Sequence, residues 1–193
     1  YNFNYFDRMQ FSVVADKDAG EPFFDSLQPF GFDHYSIQFT LKDIGIIKQL
    51  TLGDYRLNFA EGLAIGQGFS LSYLNTDAII KKRTSGITPH RSSSEYGYNR
   101  GIATNIKILK TNLYLFASID RSDCSTNLQT TGLHRTASEL ATKDSNLTRL
   151  FGFHYEYDNK GLQIGTTMFY YHFKDSLHHQ NREYQKYYFA RKQ

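Results

Sequence analysis

The chain has 193 residues, a formal net charge of +3, 15 Tyr, 16 Phe and no Trp. A charge this small gives no basis for nucleic-acid binding, and a single cysteine, Cys124, excludes an intramolecular disulfide framework and a multi-cysteine metal site. Mean hydropathy is −0.53 and no run of about 18 apolar residues exists, so the composition excludes transmembrane helices but leaves a transmembrane β-barrel open.

Segments whose side chains alternate in polarity follow one another along the chain. The alternation predicts about eight strands, with a possible ninth at Gln185–Arg191. The eight are Asn2–Phe6, Met9–Asp16, Asp33–Lys42, Ile46–Phe59, Tyr96–Leu109, Leu113–Arg121, Leu150–Asp158 and Leu162–Lys174. In the fourth strand the alternation changes phase at Gly53, which predicts a bulge or a close backbone approach at that glycine.

Two of these strands alternate with particular regularity, and one face of each is apolar. We predict that this face contacts lipid at Tyr35, Ile37, Phe39, Leu41, Phe151, Phe153 and Tyr155. A half-buried antiparallel sheet in a soluble protein alternates in the same way, so alternation alone leaves both classes open. The many tyrosines favour the membrane, because Tyr is suited to the boundary between lipid headgroups and hydrocarbon.

Short connections alternate with long polar ones between these strands. Tight turns fall at Asp7–Arg8, Lys42–Gly45, Leu109–Asn112 and Asp158–Gly161, and long loops fall near residues 17–32, 61–95, 122–149 and 174–184. Short turns at one end and long loops at the other are typical of outer-membrane barrels. The sequence therefore predicts an all-β, antiparallel up-and-down transmembrane β-barrel. Residues 1–193 would form one domain, or a segment of a larger exported barrel.

Charged residues of the predicted strands are candidates for the barrel interior. A charge that faces lipid at the bilayer centre costs about 2–4 kcal/mol, so we predict that Asp54, Arg56 and Glu156 face the lumen. Asp54 and Arg56, with Glu61 at the strand exit, form either a charged constriction that contacts a solute or a network of ion pairs that fills the interior.

The long loops contain three further groups of polar residues. Lys81, Lys82, Arg83 and Arg91 make the longest loop basic, which fits either a solvated loop or contact with lipopolysaccharide. His134–Glu139 contains a capping box and predicts a short helix, with a hydrolase catalytic group as the alternative. His178–His179 is a poor metal site because adjacent strand residues point to opposite faces. We therefore expect no metal and no cofactor.

Several motifs resemble a family of outer-membrane barrel proteins of Bacteroidetes that often carry an N-terminal helix-hairpin-helix domain. The resemblance rests on Gly53-Asp54-Tyr55-Arg56, the glycine-rich stretch Ala60–Gly68, and the segments Asp16–Pro22 and Thr131–Leu140. It implies a barrel in the outer membrane of a Gram-negative bacterium. The helix-hairpin-helix domain is absent here, so the resemblance implies no nucleic-acid binding by this segment.

These observations predict a non-catalytic outer-membrane protein that passes a solute or polymer, or has a structural role in an envelope complex. Outer-membrane lipid, lipopolysaccharide and other envelope proteins are the expected partners. Two alternatives stay open at this stage: an outer-membrane hydrolase with its catalytic residues at the loop mouth, and a soluble β-sandwich or lipocalin-like binding protein.

Overall fold

The computed structural model describes residues 1–20, 23–24, 31–59, 65–66, 86–122, 143, 145–159 and 162–174. These residues form ten β-strands: β1 Asn2–Tyr5, β2 Met9–Asp16, β3 His34–Ile44, β4 Ile47–Phe59, β5 Ile65–Gly66, β6 Gly86–Pro89, β7 Asn99–Ile108, β8 Thr111–Ser122, β9 Asn146–Asn159 and β10 Leu162–Phe173. Within this part of the chain, no helix has the length and apolarity needed to span a membrane.

Eight strands form one antiparallel up-and-down sheet in the order β1-β2-β3-β4-β7-β8-β9-β10, which we call the wall. The all-β class and the up-and-down arrangement are confirmed. The sheet is not closed, since β1 and β10 each pair with a single neighbour among the described strands. The predicted ninth strand, Gln185–Arg191, lies outside the described residues.

The two ends of the wall differ, as the spacing of the strands predicts. Tight turns join β1 to β2, β3 to β4 and β7 to β8, and Asp7, Asp43 and Leu109 there have positive φ angles. The chain leaves the wall after β2, β4 and β8 at the other end and re-enters it only at His34, Asn99 and Asn146, so we call this the end with the long connections. The predicted loop near residues 122–149 is too long, because β8 continues to Ser122 and β9 already begins at Asn146.

Strand β4 does not stay in the wall along its whole length. Gln49 lies in one row with Asn105, Tyr114 and His154 across four neighbouring strands, a distance of about 14 Å. Ten residues of straight strand would carry Phe59 about 33 Å away from Gln49. The Phe59 ring instead lies 5.2 Å from that of Tyr114 and 4.5 Å from that of His154. The second half of β4 therefore turns back along one face of the wall, which we call the inner face.

Two short strands accompany this part of β4. Strand β6 pairs with Tyr55–Asn58, and β5 pairs with Asn58 and Phe59. We call residues 54–59 with β5 and β6 the inward segment. Neither short strand was predicted, since both fall within the stretch 61–95 that the sequence assigns to a loop. Both pair with the part of β4 that has left the wall, and no periodicity in the sequence indicates that β4 turns inward there.

The apolar core lies between the inward segment and the wall. Tyr55, Leu57 and Phe59 are fully buried and pack with Ile65, Ile87, Ala103, Phe116 and Leu150. The Tyr55 hydroxyl donates a hydrogen bond to the carbonyl of Ala117 at 3.0 Å, and Gln49 Nε2 donates to the carbonyl of Ile87 at 3.2 Å. These contacts fix the inward segment against β7 and β8.

The two faces of the wall have opposite character. The inner face carries buried polar side chains at Gln10, Ser12, Ser36, Gln38, Thr40, Thr51, Asn99, Ser118, Thr148 and His154. The outer face of β7–β10 has four successive rows without a charged side chain: Ile108, Thr111, Tyr157 and Ile164; Ile106, Leu113, Tyr155 and Thr166; Thr104, Leu115, Phe153 and Met168; Ile102, Ala117, Phe151 and Tyr170. Ile37 on the outer face of β3 and Phe151 on the outer face of β9 are each 51% exposed. Polar side chains are thus buried on one face of the wall, and large apolar side chains are exposed on the other.

Candidate functional site: the seam beside strand β4

The seam is the place where β4 leaves the wall and β3 loses its partner. Pairing between the two strands begins at the turn and ends where Gln38 meets Gly53. Gly53 has a φ of +90°, and a Cβ there would lie 2.1 Å from the carbonyl oxygen of Ile37. Glycine is required at this point for both reasons. The predicted close backbone approach at Gly53 is confirmed, whereas the one shift of register in the described part of β4 falls between Ile47 and Gln49.

An ion pair fills the place of the missing strand. Asp54 is completely buried, and its carboxylate accepts hydrogen bonds from Arg100 Nε at 2.7 Å and from Arg100 Nη2 at 3.0 Å. Arg100 Nη2 also donates to the carbonyl of Tyr35 at 2.7 Å, while the backbone N–H of Ile37 donates to Asp54 Oδ2 at 3.3 Å. The two side chains thus satisfy backbone groups of β3 that β4 satisfies nearer the turn.

Arg100 lies between two cavities of different polarity. One, of about 380 Å³, is a groove beside the seam, lined by Tyr35, Ile37, Phe39, Leu52, Gly53, Asp54 and Arg100. The other, of about 390 Å³, lies at the end with the long connections and has mostly polar walls: Asp33, His34, Tyr35, Glu95, Tyr98, Arg100, Ile119, Asp120, Arg121, Lys143 and Leu147. We call the second one the rim cavity. Lys143 lines the rim cavity, and its Nζ donates to the Asp33 carbonyl at 2.9 Å.

His90 connects the inward segment to the seam. It is 1% exposed, its backbone N–H donates to the Asp54 carbonyl, and its ring stacks on Tyr98 with centroids 4.6 Å apart. Nε2 lies 3.0 Å from the carbonyl of Ser94, whereas Nδ1 is buried without a partner among the described residues. Burial, and then the nearby charge of Arg56, lower the pKa of His90 from 6.5 to about 4, so the ring is neutral near pH 7.

The residues predicted to face a lumen have different surroundings. Asp54 lies in the seam, bound to β7 and β3. Arg56 lies on the side of β4 turned away from the apolar core, and its Nε is buried without a hydrogen-bond partner in the described part of the chain. Glu156 lies on the inner face of β9 and accepts a hydrogen bond from Gln163. Their orientation toward a lumen requires a closed barrel and stays a prediction.

Of the four basic residues predicted to make loop contacts, the structure describes only Arg91. Lys81, Lys82 and Arg83 lie outside the described residues, as do Glu61, His134–Glu139 and His178–His179. Arg91 is exposed, and its Nη2 donates to Oε1 of the buried Gln10 on β2 at 2.7 Å. Its contact with lipopolysaccharide stays a prediction. The described residues contain no group of three or more His, Cys, Asp or Glu side chains that could hold a metal ion.

Arg100 is the residue of the seam that the sequence analysis missed. Its strand alternates, and Arg100 has the same phase as Ile102 on the outer face. A charge on the outward side of a strand whose other outward residues are uncharged indicates that a partner lies nearby, and the only acidic residue of the same phase on β4 is Asp54. Comparison of the chain with family models, curated proteins and solved structures finds no match.

Proposed function

We propose that this chain forms part of the wall of a β-barrel in the outer membrane of a Gram-negative bacterium, and that it has no catalytic role. The observation that carries the proposal is the outer face of β7–β10, where four rows of side chains hold no charge and every side chain is at least partly exposed. An outer face of this kind is suited to hydrocarbon. The resemblance to barrel proteins of Bacteroidetes supports the same location.

The edges of the wall support a barrel with further strands. β10 is 12 residues long, and Ile164, Met168, Phe169 and Tyr171 expose apolar surface on both of its faces. An exposed apolar edge strand pairs readily with another strand. We propose that β1 and β10 pair with additional strands, or with an envelope protein in a structural complex.

The inner face favours a narrow polar passage over a wide pore. The inward segment and its apolar core occupy the side of the barrel formed by β7–β9. On the side of β2 and β3, Ser12 Oγ, Ser36 Oγ and Gln38 Nε2 are buried without hydrogen-bond partners among the described residues. Buried polar atoms of this kind usually bind water. We propose that small polar solutes pass along this side, past Arg91 and Gln10.

Lipid contact can be tested with single cysteines in a Cys124→Ser background. The protein is reconstituted in phosphatidylcholine vesicles, and fluorophores are attached at Ile37→Cys, Phe151→Cys and, as a control, Glu156→Cys. We expect nitroxide-labelled lipid tails to quench the fluorophores at positions 37 and 151 strongly and the one at position 156 weakly. Equal quenching at all three positions, or failure of the protein to insert, would contradict a lipid-facing wall.

A further inference from the structure

The outer face changes character abruptly at the end with the long connections. The row beyond Ile102, Ala117, Phe151 and Tyr170 contains Arg100, Ile119, Arg149 and His172, and the next one contains Arg121, Leu147 and Lys174. Among the outward positions of β8, β9 and β10 here, none is acidic, and the acidic residue of the row is Asp54 on β4, opposite Arg100. We call Arg100, Arg121 and Arg149, which surround the 64% exposed Ile119, the arginine triangle.

The register fixes the dimensions of this triangle. Arg149 lies directly opposite Ile119, and Arg121 lies opposite Leu147, two positions further along β9. Arg121 and Arg149 are therefore diagonal neighbours on one face, roughly 7–8 Å apart at their Cα atoms. Arg100 precedes Gly101, which pairs with Ser118 in the antiparallel sheet, so Arg100 lies on the other side of Ile119, about 10 Å from Arg149. Arg100 and Arg121 also line the rim cavity together.

The charges of the triangle are not balanced from within the described part of the chain. Arg100 is paired with Asp54, but no ion pair joins Arg121 or Arg149 to another described residue. Asp120 and Glu95 line the rim cavity, and Asp120 belongs to the inner face of β8. Two exposed guanidinium groups on one diagonal repel each other, and an anion between them removes that repulsion.

We infer that the arginine triangle binds the phosphate of a lipid headgroup. The inference rests on the proposed membrane location, because it places the four apolar rows in hydrocarbon and the triangle at the adjacent headgroups. Arginine favours phosphate, since its planar fork of N–H donors matches two phosphate oxygens. A lipid also fits the layout, because the basic row meets the apolar rows at a single boundary and Arg100 borders the apolar groove.

The test uses the full chain in a neutral detergent, with diphosphoryl lipid A as the probe and Arg121→Gln/Arg149→Gln as the variant. Both side chains are exposed, so the fold should survive, and circular dichroism checks it. The control Lys48→Gln/Lys110→Gln removes the same charge at the opposite end of the wall. We expect the triangle variant to lose at least about tenfold in affinity and the control to stay within about twofold. The Arg121→Lys/Arg149→Lys variant should recover part of the loss.

Three outcomes would overturn the inference. The triangle variant could bind lipid A as tightly as the wild-type protein, or the control could lose as much affinity as the triangle variant, which would indicate general charge attraction. Inorganic phosphate could compete fully at the concentration of the lipid, which would indicate a site for free phosphate. Insertion into phosphatidylcholine vesicles is measured separately. Insertion without lipid A binding therefore refutes the triangle alone, whereas failure to insert refutes the wall.

Discussion

The ion pair of the seam offers the sharpest test of how the wall is held together. In Asp54→Asn the amide oxygen can still accept the hydrogen bond from Ile37, but the charge that binds Arg100 is lost. Hydrogen bonds to charged groups contribute about 1.5–3 kcal/mol each, and Arg100 is 46% exposed, which reduces this by solvent screening. We expect Asp54→Asn to lower the free energy of unfolding by about 2 kcal/mol.

Removing the whole Asp54 carboxylate should lower the free energy of unfolding further. Asp54→Ala also leaves the Ile37 N–H without its partner, and an unsatisfied buried backbone group costs about 1–3 kcal/mol. We therefore expect a total loss of about 3–4 kcal/mol for Asp54→Ala. The matched control is Asp43→Asn, because Asp43 forms an ion pair with Lys48 in which both side chains are about half exposed. That substitution should leave stability within experimental error.

The measurement is a urea titration of the protein refolded in detergent micelles, followed by far-ultraviolet circular dichroism and by heat-modifiable migration in gels. Adding Arg100→Gln, alone and with Asp54→Asn, completes a double-mutant cycle, and the coupling should be about 1–2 kcal/mol. The reasoning fails if the coupling is below about 0.5 kcal/mol, or if Asp54→Asn behaves like Asp43→Asn.

Two further predictions concern the glycine of the seam and the buried histidine. Gly53→Ala should lower the free energy of unfolding by about 3 kcal/mol or more, because the added Cβ would clash with the Ile37 carbonyl. The control Gly45→Ala, where φ is +59° and no atom lies near the added Cβ, should lower it by only about 1 kcal/mol. Equal losses in the urea titration would contradict the clash at Gly53. The lowered pKa of His90 means that the unfolded chain binds more protons between pH 6.5 and about 4, so stability should fall by up to about 3 kcal/mol as the pH falls through that range. A His90→Asn variant with the same pH dependence as the wild-type protein would contradict this.

The wall strands could be predicted because side chains of opposite polarity alternate along strands such as β3. A period of two is conspicuous when Tyr35, Ile37 and Phe39 alternate with Ser36 and Gln38, and it depends on no distant partner. The bounds of the strands are less certain, since Asn146–Arg149 continues β9 with a mixture of polar and charged residues that resembles a loop. Burial of Asn146 and Thr148 at the inner face explains why such residues belong to the strand.

The inward turn of β4 could not be predicted from the same pattern. Gln49 and Thr51 have the same phase as Tyr55, Leu57 and Phe59, so one face of the strand changes from polar to apolar at Gly53. The change of polarity at Gly53 is visible in the sequence, but the apolar face that follows it could contact either lipid or an internal core. Whether this face contacts lipid or a core depends on its packing with Phe116, Ile87 and Leu150, which lie far away in the sequence.

If the wall spans a membrane as proposed, the seam also explains how β4 can leave it without leaving the backbone of β3 unpaired. In hydrocarbon each unsatisfied backbone group costs several kcal/mol, so the departure of β4 would leave the Ile37 N–H and the Tyr35 carbonyl at high cost. Arg100 donates to the Tyr35 carbonyl and Asp54 accepts from the Ile37 N–H, and each side chain neutralises the charge of the other. The pair lies at the end of the apolar rows, in the same row as Arg149, where the Arg100 guanidinium can reach the headgroups. A charged pair on the lipid-facing side is thus compatible with the proposed wall at the edge of the apolar rows. Four residues nearer the turns, among the apolar rows, the same pair would be much more costly.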